Sequence, residues 1–210
     1  MGALQRRQRE KAEFREEVLR AARAIVLEEG FGALSMRKIA EAIEYSPGTI
    51  YLYFESRDAI AYELCEQGFE EFFRALSPAA GIADPAERLR KVAELYVRFG
   101  LEHPETYRLI FMSDAKFTDA GFRHDDKSAG MRALGMLVTA FDELRKAKRL
   151  RTRTASAELA DAFWAVGHGV VSLKLTLSDH PETPILQLAR TVQRIFLDGV
   201  LKESPARLPA

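Results

Sequence analysis

A single cysteine, Cys65, stands among 210 residues, which excludes an intrachain disulfide framework. Its thiol is read either as a redox sensor or as a small apolar group buried on a helix. Long apolar runs are also missing. No stretch of about 18 uncharged apolar residues occurs, and the opening segment is charged, so neither a membrane span nor a signal peptide is indicated. A soluble, cytoplasmic protein is expected. No segment alternates apolar and polar residues between turn markers, so strands are not expected. Catalytic signatures are absent too, with no G-x-S-x-G, no phosphate-cradling glycine loop and no paired metal ligands. His103, His124, His168 and His180 contain no i, i+3 or i, i+4 pair, which argues against a metal site. Neither an enzyme nor a cofactor is expected. Finally there is no charge excess: 31 basic residues face 31 acidic ones, and residues 1–60 balance at ten against ten. Any attraction to a polyanion must come from local arrangement.

What the chain does have is helical spacing from end to end and 47% hydrophobic residues, enough for a sizeable core. The pattern predicts an all-α fold of about nine helices. Phe14, Val18, Ala21 or Ala22, and Ile25 form one apolar stripe, stopped by Gly30 and Gly32. Arg6, Arg7, Arg9 and Lys11 are expected to precede that first helix. A second helix starts after Ser35, and a long fourth helix runs from Ser56 to about Leu76. Asp84-Pro85-Ala86-Glu87 reads as a capping box with proline at the first helical position. Pro104 opens the next helix, through Tyr107 and Phe111. Ser113 to Lys127 reads as an irregular connection. A helix through Met131, Phe141 and Leu144 ends in the basic cluster Arg145, Lys146, Lys148, Arg149, Arg151 and Arg153, either a solvated helix end or a second DNA site. Ser156 to about Leu177 is the eighth helix, and Thr183-Pro184 opens a ninth that ends near Lys202. Residues 204–210 are expected to fray.

The segment Ser35 to Phe54 is the most informative. Ser35-Met36-Arg37-Lys38-Ile39-Ala40-Glu41-Ala42-Ile43 and Ser46-Pro47-Gly48-Thr49-Ile50-Tyr51-Leu52-Tyr53-Phe54 are two short helices joined by a turn of about three residues. Ala40 is small where the pair would cross, and Ile39, Ile43 and Ile50 can pin the pair to the first helix. Ser46 and Pro47 define where the second helix begins, leaving its N–H groups for a phosphate.

Ile39 to Ala42, Ser46 to Phe54 and Ser56-Arg57-Asp58 resemble the N-terminal motif of the TetR family of transcriptional regulators. The resemblance implies a helix-turn-helix DNA-binding domain over residues 1–57. Its Ser46–Phe54 helix would enter the major groove of a near-palindromic double-stranded operator, bound by a homodimer that a small-molecule effector releases. Carried across residue by residue, Ser35 and Tyr53 resemble phosphate contacts, and Arg57 sits where a phosphate-binding lysine is common. Lys38 is a further phosphate candidate, and Ser46, Pro47, Gly48, Thr49 and Tyr51 belong to the groove-facing helix. Arg37 is read either as a bidentate guanine contact or as a phosphate contact. Glu44 and Tyr45 depart from the pattern, which has glycine and a small apolar residue there. A left-handed Glu44 would cost about 1 kcal/mol relative to glycine.

The region 58–203 is expected to sense a ligand and to dimerise. His103 to Phe111, Trp164 and the pair His168-Gly169 resemble the C-terminal domain of one TetR subgroup marked by a Trp and a His-Gly pair. Tyr107, Phe111, Trp164 and His168 are candidates for an aromatic ligand pocket, each with core packing as the alternative. The helix carrying Phe163 to Leu173 is apolar around most of its circumference, so it needs more than one partner face. Gly167 and Gly169 point to close helix approach. With the stripe Ile185, Leu188, Val192, Ile195 and Phe196 of the last helix, it forms either a four-helix dimer interface or an intrachain packing.

Overall fold

In the computed structural model, which describes residues 2–123, 128–177, 179 and 182–202, every regular element is helical. Ten α-helices and two short 3-10 turns occur among the described residues, and the nearest thing to a strand is a single antiparallel bridge between Leu150 and Leu201. No described helix is long and apolar enough to cross a membrane. The chain forms two compact units, one of Met1–Glu70 with Glu105–Ser128, the other of Glu71–Pro104 with Ala129–Ala210.

The first unit begins with α1 (Ala3–Glu29), whose buried face carries Val18, Leu19, Ala22, Ile25 and Val26. The basic residues expected ahead of this helix lie on it instead. Its exposed first turns have little to pack against, and i, i+4 pairs Arg6–Glu10 and Arg9–Glu13, both 3.4 Å, extend the helix where no apolar stripe does. Gly30, at φ 81, ends it in a conformation that favours glycine. A 3-10 turn (Phe31–Ala33) leads to α2 (Met36–Ala42), α3 (Pro47–Tyr51) and α4 (Arg57–Leu76). Ile39, Ala40 and Ile50 are buried and Ile43 is half-buried, so the isoleucines anchor the helix pair as expected.

Two more helices complete this unit, α6 (Pro104–Phe111) and α7 (Ala115–Arg123). The latter occupies the stretch expected to be irregular. Asp114 caps it, its Oδ1 accepting from the Lys116 backbone N–H at 2.9 Å. Phe117 holds it down, buried against the rings of Phe31 at 4.6 Å and Tyr62 at 5.2 Å. His124 and Lys127 fall outside the described residues. Gly68 on α4 permits a close approach to α6: a Cβ there would stand 2.5 Å from Cγ2 of Ile110.

The second unit is built on α5 (Pro85–Glu102), α8 (Ala129–Lys146), α9 (Ser156–Thr176) and α10 (Ile185–Val200), around Leu89, Val92, Phe99, Phe141, Leu144 and Val171. At α5 half of the predicted capping box forms. Asp84 accepts from the N–H groups of Ala86 and Glu87 at 2.8 and 3.0 Å, but Glu87 turns away to Arg90. Pro184 takes the N-cap position of α10 rather than its first turn. In the basic cluster Arg145 binds the Thr154 carbonyl and Ser156 Oγ and Arg149 pairs with Asp84 at 2.6 Å, while Lys146, Lys148, Arg151 and Arg153 are exposed. His180 and residues 203–210, including the tail expected to fray, lie outside the described residues.

Candidate functional site

The turn between α2 and α3 is closed by backbone geometry. Glu44 is left-handed, at φ 59, the Tyr45 N–H donates to the Ala40 carbonyl at 3.0 Å, and the Glu44 N–H donates to the Glu41 carbonyl at 3.4 Å. This is the double hydrogen bond of a helix terminated by a left-handed residue, built on glutamate where glycine would be relaxed. Side-chain caps set both helix starts. Ser35 Oγ accepts from Lys38 N–H at 3.1 Å, and Ser46 Oγ from Thr49 N–H at 3.2 Å. The second cap means that the Thr49 amide, expected to be open to a phosphate, is already engaged within the helix. The regular part of α3 is also shorter than the expected Ser46–Phe54 segment, ending at Tyr51.

What this short helix presents is an uncharged surface. Ser46, Pro47, Gly48, Tyr51 and Leu52 are exposed and Thr49 is half-buried, with Tyr51 at 57% and Leu52 at 79%. The charged candidates flank it. Arg37 is fully out in solvent and pairs with Glu41 at 2.8 Å; Lys38 pairs with Glu29. Arg57, at the start of α4, donates to the Leu34 carbonyl at 3.3 Å and to Asp58 at 3.1 Å. It thus ties the first turn of α4 to the residue before Ser35. Tyr53 is half-buried against the Phe14 ring at 4.5 Å, while Phe54 is core, as expected.

Arg15 escaped the sequence reading. From α1 its guanidinium donates to the Tyr53 carbonyl at 2.6 Å, pairs with Glu63 and lies 4.2 Å from the centre of the Phe54 ring. One side chain therefore fixes the end of α3 against α4. Its place beside Phe14, at the edge of the apolar stripe, was the available signal. Lys116 adds a second brace, bonding to Asp58 at 2.6 Å and holding that carboxyl below its ordinary range.

The four ligand candidates separate into two pairs. In the first unit Tyr107 is buried and packs on the half-buried Phe111 at 4.9 Å. In the second, Trp164 Nε1–H donates to the Tyr96 hydroxyl at 3.1 Å, and that hydroxyl lies 3.4 Å from Nδ1 of His168. Tyr96, on α5, was not foreseen as the hub joining them. Burial pushes the His168 pKa down. A Cβ at Gly167 would meet the Tyr96 ring at 3.5 Å, an ordinary contact, and Gly169 has open space around it, so neither glycine is required by helix packing within this chain. Cys65 is buried, and burial pushes its thiol up to about 12, far from the reactive range.

A capped helix-turn-helix on a three-helix support, continued by an all-helical remainder, is the build of a DNA-binding regulator. Residues 18–64 match the profile of bacterial regulatory proteins of the tetR family, and residues 89–192 match that of the tetracyclin repressor-like C-terminal domain. The chain belongs to the TetR family of transcriptional regulators. It is 33% identical over 64 residues to the HTH-type transcriptional regulator YfiR of Bacillus subtilis (strain 168), an alignment covering 30% of this chain and 31% of that one. The chain spans about a third of the length of the curated relatives it matches. Among solved structures it resembles AibR in complex with isovaleryl coenzyme A and operator DNA, with 15% identity, a TM-score of 0.65 and coverage of 86% of this chain and 96% of that one. It also resembles the SmeT–triclosan complex, with 18% identity, a TM-score of 0.68 and coverage of 93% and 99%. At these identities the likeness is one of fold.

Proposed function

We propose that this protein is a ligand-responsive transcriptional repressor that binds a near-palindromic operator as a homodimer and lets go when a small molecule binds. The observation that carries the reading is the rigidly supported, exposed and uncharged face of α3 with cations on its flanks. Thr49, Tyr51 and Pro47 meet base edges, with Gly48 allowing close approach and Ser46 setting the helix start. Ser35, Lys38, Tyr53 and Arg57 meet phosphates, and Arg37 leaves Glu41 for a base or phosphate. Residues 1–57 read DNA, and 58–203 sense and dimerise. The solved complexes of AibR and SmeT, one with operator DNA and both with small molecules, support this assignment by likeness of fold. The aromatic groups Tyr107, Phe111, Trp164 and His168 contribute to effector sensing, with Tyr96 joining the last two.

Dimerisation follows from α9 and α10. Leu173 is 43% exposed, Leu186 48% and Ile195 63%, and Gly169 faces open space. A second copy covering this aliphatic face, with Gly169 permitting close approach, makes a four-helix interface. Effector binding then tilts α4, which carries Arg57 at its start, and changes the spacing of the two α3 helices. Coupling of about 1–3 kcal/mol alters operator affinity roughly 5 to 150-fold. Selecting duplexes from a random pool tests the reading: enrichment of an inverted repeat, bound less tightly as salt rises, is the expected result. No enriched sequence at low salt would overturn it.

A further inference from the structure

The second unit contains a cleft of 320 Å³ between α5, α9 and α10. Val97 and Leu101 of α5, Phe163 and Val170 of α9, and Leu186 and Val192 of α10 form its apolar walls. That volume lies at the small end of the range for small-molecule sites, which combine apolar walls with a few polar groups. None of Tyr107, Phe111, Trp164 and His168 lines it, so it is separate from the sensing residues assigned above.

Its two cations differ in state. Arg98 is held by Glu94 at 3.1 Å and Glu102 at 4.0 Å, and these two carboxylates are the acidic groups of the lining. Gln193 donates its amide across the helices to the Arg90 carbonyl at 2.8 Å. Arg190 lines the same cleft, is exposed, and has no hydrogen-bond or ion-pair partner among the described residues. The lining's two carboxylates and two guanidiniums balance in formal charge. Both carboxylates are engaged by ion pairs, Glu94 also with Lys91 at 3.0 Å, whereas Arg190 stands beside the apolar cavity with no such pair. A cationic guest would meet Arg190 as a like charge, and a neutral apolar one would leave it unused.

We propose that this cleft is a binding site for a small amphipathic carboxylate, its apolar body between α5, α9 and α10 and its carboxylate on Arg190. The site borders the aliphatic face of α9 and α10, since Val166, Val170 and Val192 line both. The test is calorimetric titration of the full chain with octanoate, with octan-1-ol and octylamine as probes of the same length. Octanoate is expected to bind about five-fold more tightly than octan-1-ol, the scale of a part-exposed ion pair, and octylamine more weakly still. Arg190→Gln should bring octanoate down to the octan-1-ol value without changing thermal unfolding, and Arg190→Lys should restore part of the difference. Ala189→Leu, which adds bulk to the lining, should weaken all three. Equal affinity for octanoate and octan-1-ol, no binding of octanoate, or an Arg190→Gln protein that binds octanoate unchanged would each overturn the proposal. A shift in dimer dissociation by Arg190→Gln with octanoate binding unaltered would also overturn it, giving the cleft to a second copy of the chain. These readouts need no DNA, so they fail or succeed independently of operator binding.

Discussion

Two surfaces of this molecule leave groups in water that packed helices ordinarily cover, and they differ in chemistry and in support. On α3 the exposed set is short and mixed, Ser46, Pro47, Gly48, Tyr51 and Leu52 with Thr49 half-buried, and the backbone beneath it is tied by two caps, a left-handed turn and Arg15. On α9 and α10 the exposed set is aliphatic, with Leu173, Leu186 and Ile195. Base edges reward placed donors, acceptors and flat rings, so the first surface must be held rigidly. Another protein chain rewards apolar area, which tolerates small adjustments of side chains. In the proposed assignment the exposed groups and their bracing suit α3 to nucleic acid and the face of α9 and α10 to a second copy of the chain.

The comparison can be broken most severely at the bracing. Phe117→Ala removes a buried ring between Phe31 and Tyr62 and should cost about 3 kcal/mol in urea unfolding, with weaker operator binding. A loss below about 0.5 kcal/mol, the scale of ordinary surface changes, would show that α7 does not support the reading unit. On the aliphatic surface, Ile195→Glu should weaken dimerisation by about 2 kcal/mol in sedimentation while leaving the helical content intact. An unchanged dimer would move the interface elsewhere. Glu44→Gly sharpens the contrast, relieving a left-handed glutamate and removing a negative charge near the reading helix. It should stabilise by about 1 kcal/mol and tighten DNA binding; a clear loss of both would contradict the turn geometry.

The smallest effect concerns pH. Because burial lowers the His168 pKa, the unfolded chain takes up a proton before the folded one does. The contribution is therefore complete above the ordinary histidine value, about 6.5, and is lost as pH falls from there toward the lower folded value. His168→Gln should flatten that part of the stability curve, and an identical slope in both proteins would remove His168 as its source.

Local chemistry made much of this legible. The serine caps at Ser35 and Ser46, the left-handed strain at Glu44 and the helix start at Pro104 are properties of a few adjacent residues, and each is where the chain pattern puts it. What was not legible depends on distant neighbours. The stretch from Ser113 reads as irregular because what holds α7 down, the rings of Phe31 and Tyr62 against Phe117, comes from far along the chain. Arg15 reads as one more surface cation until Tyr53 and Phe54 come within reach. Tyr96 gave no sign of joining Trp164 to His168, since the three meet only when α5 packs on α9. The basic cluster from Arg145 to Arg153 reads as a solvated helix end or a second DNA site, and nothing local shows that Asp84, 65 positions away, claims Arg149.

The central claim is that a pair of α3 helices reads two half-sites, and footprinting of the full chain on a selected duplex tests it most directly. The account predicts two protected major-groove segments centred about one helical turn, roughly 34 Å, apart, both lost on disrupting the dimer with Ile195→Glu. A single protected segment, or a footprint that Ile195→Glu leaves unchanged, would contradict it.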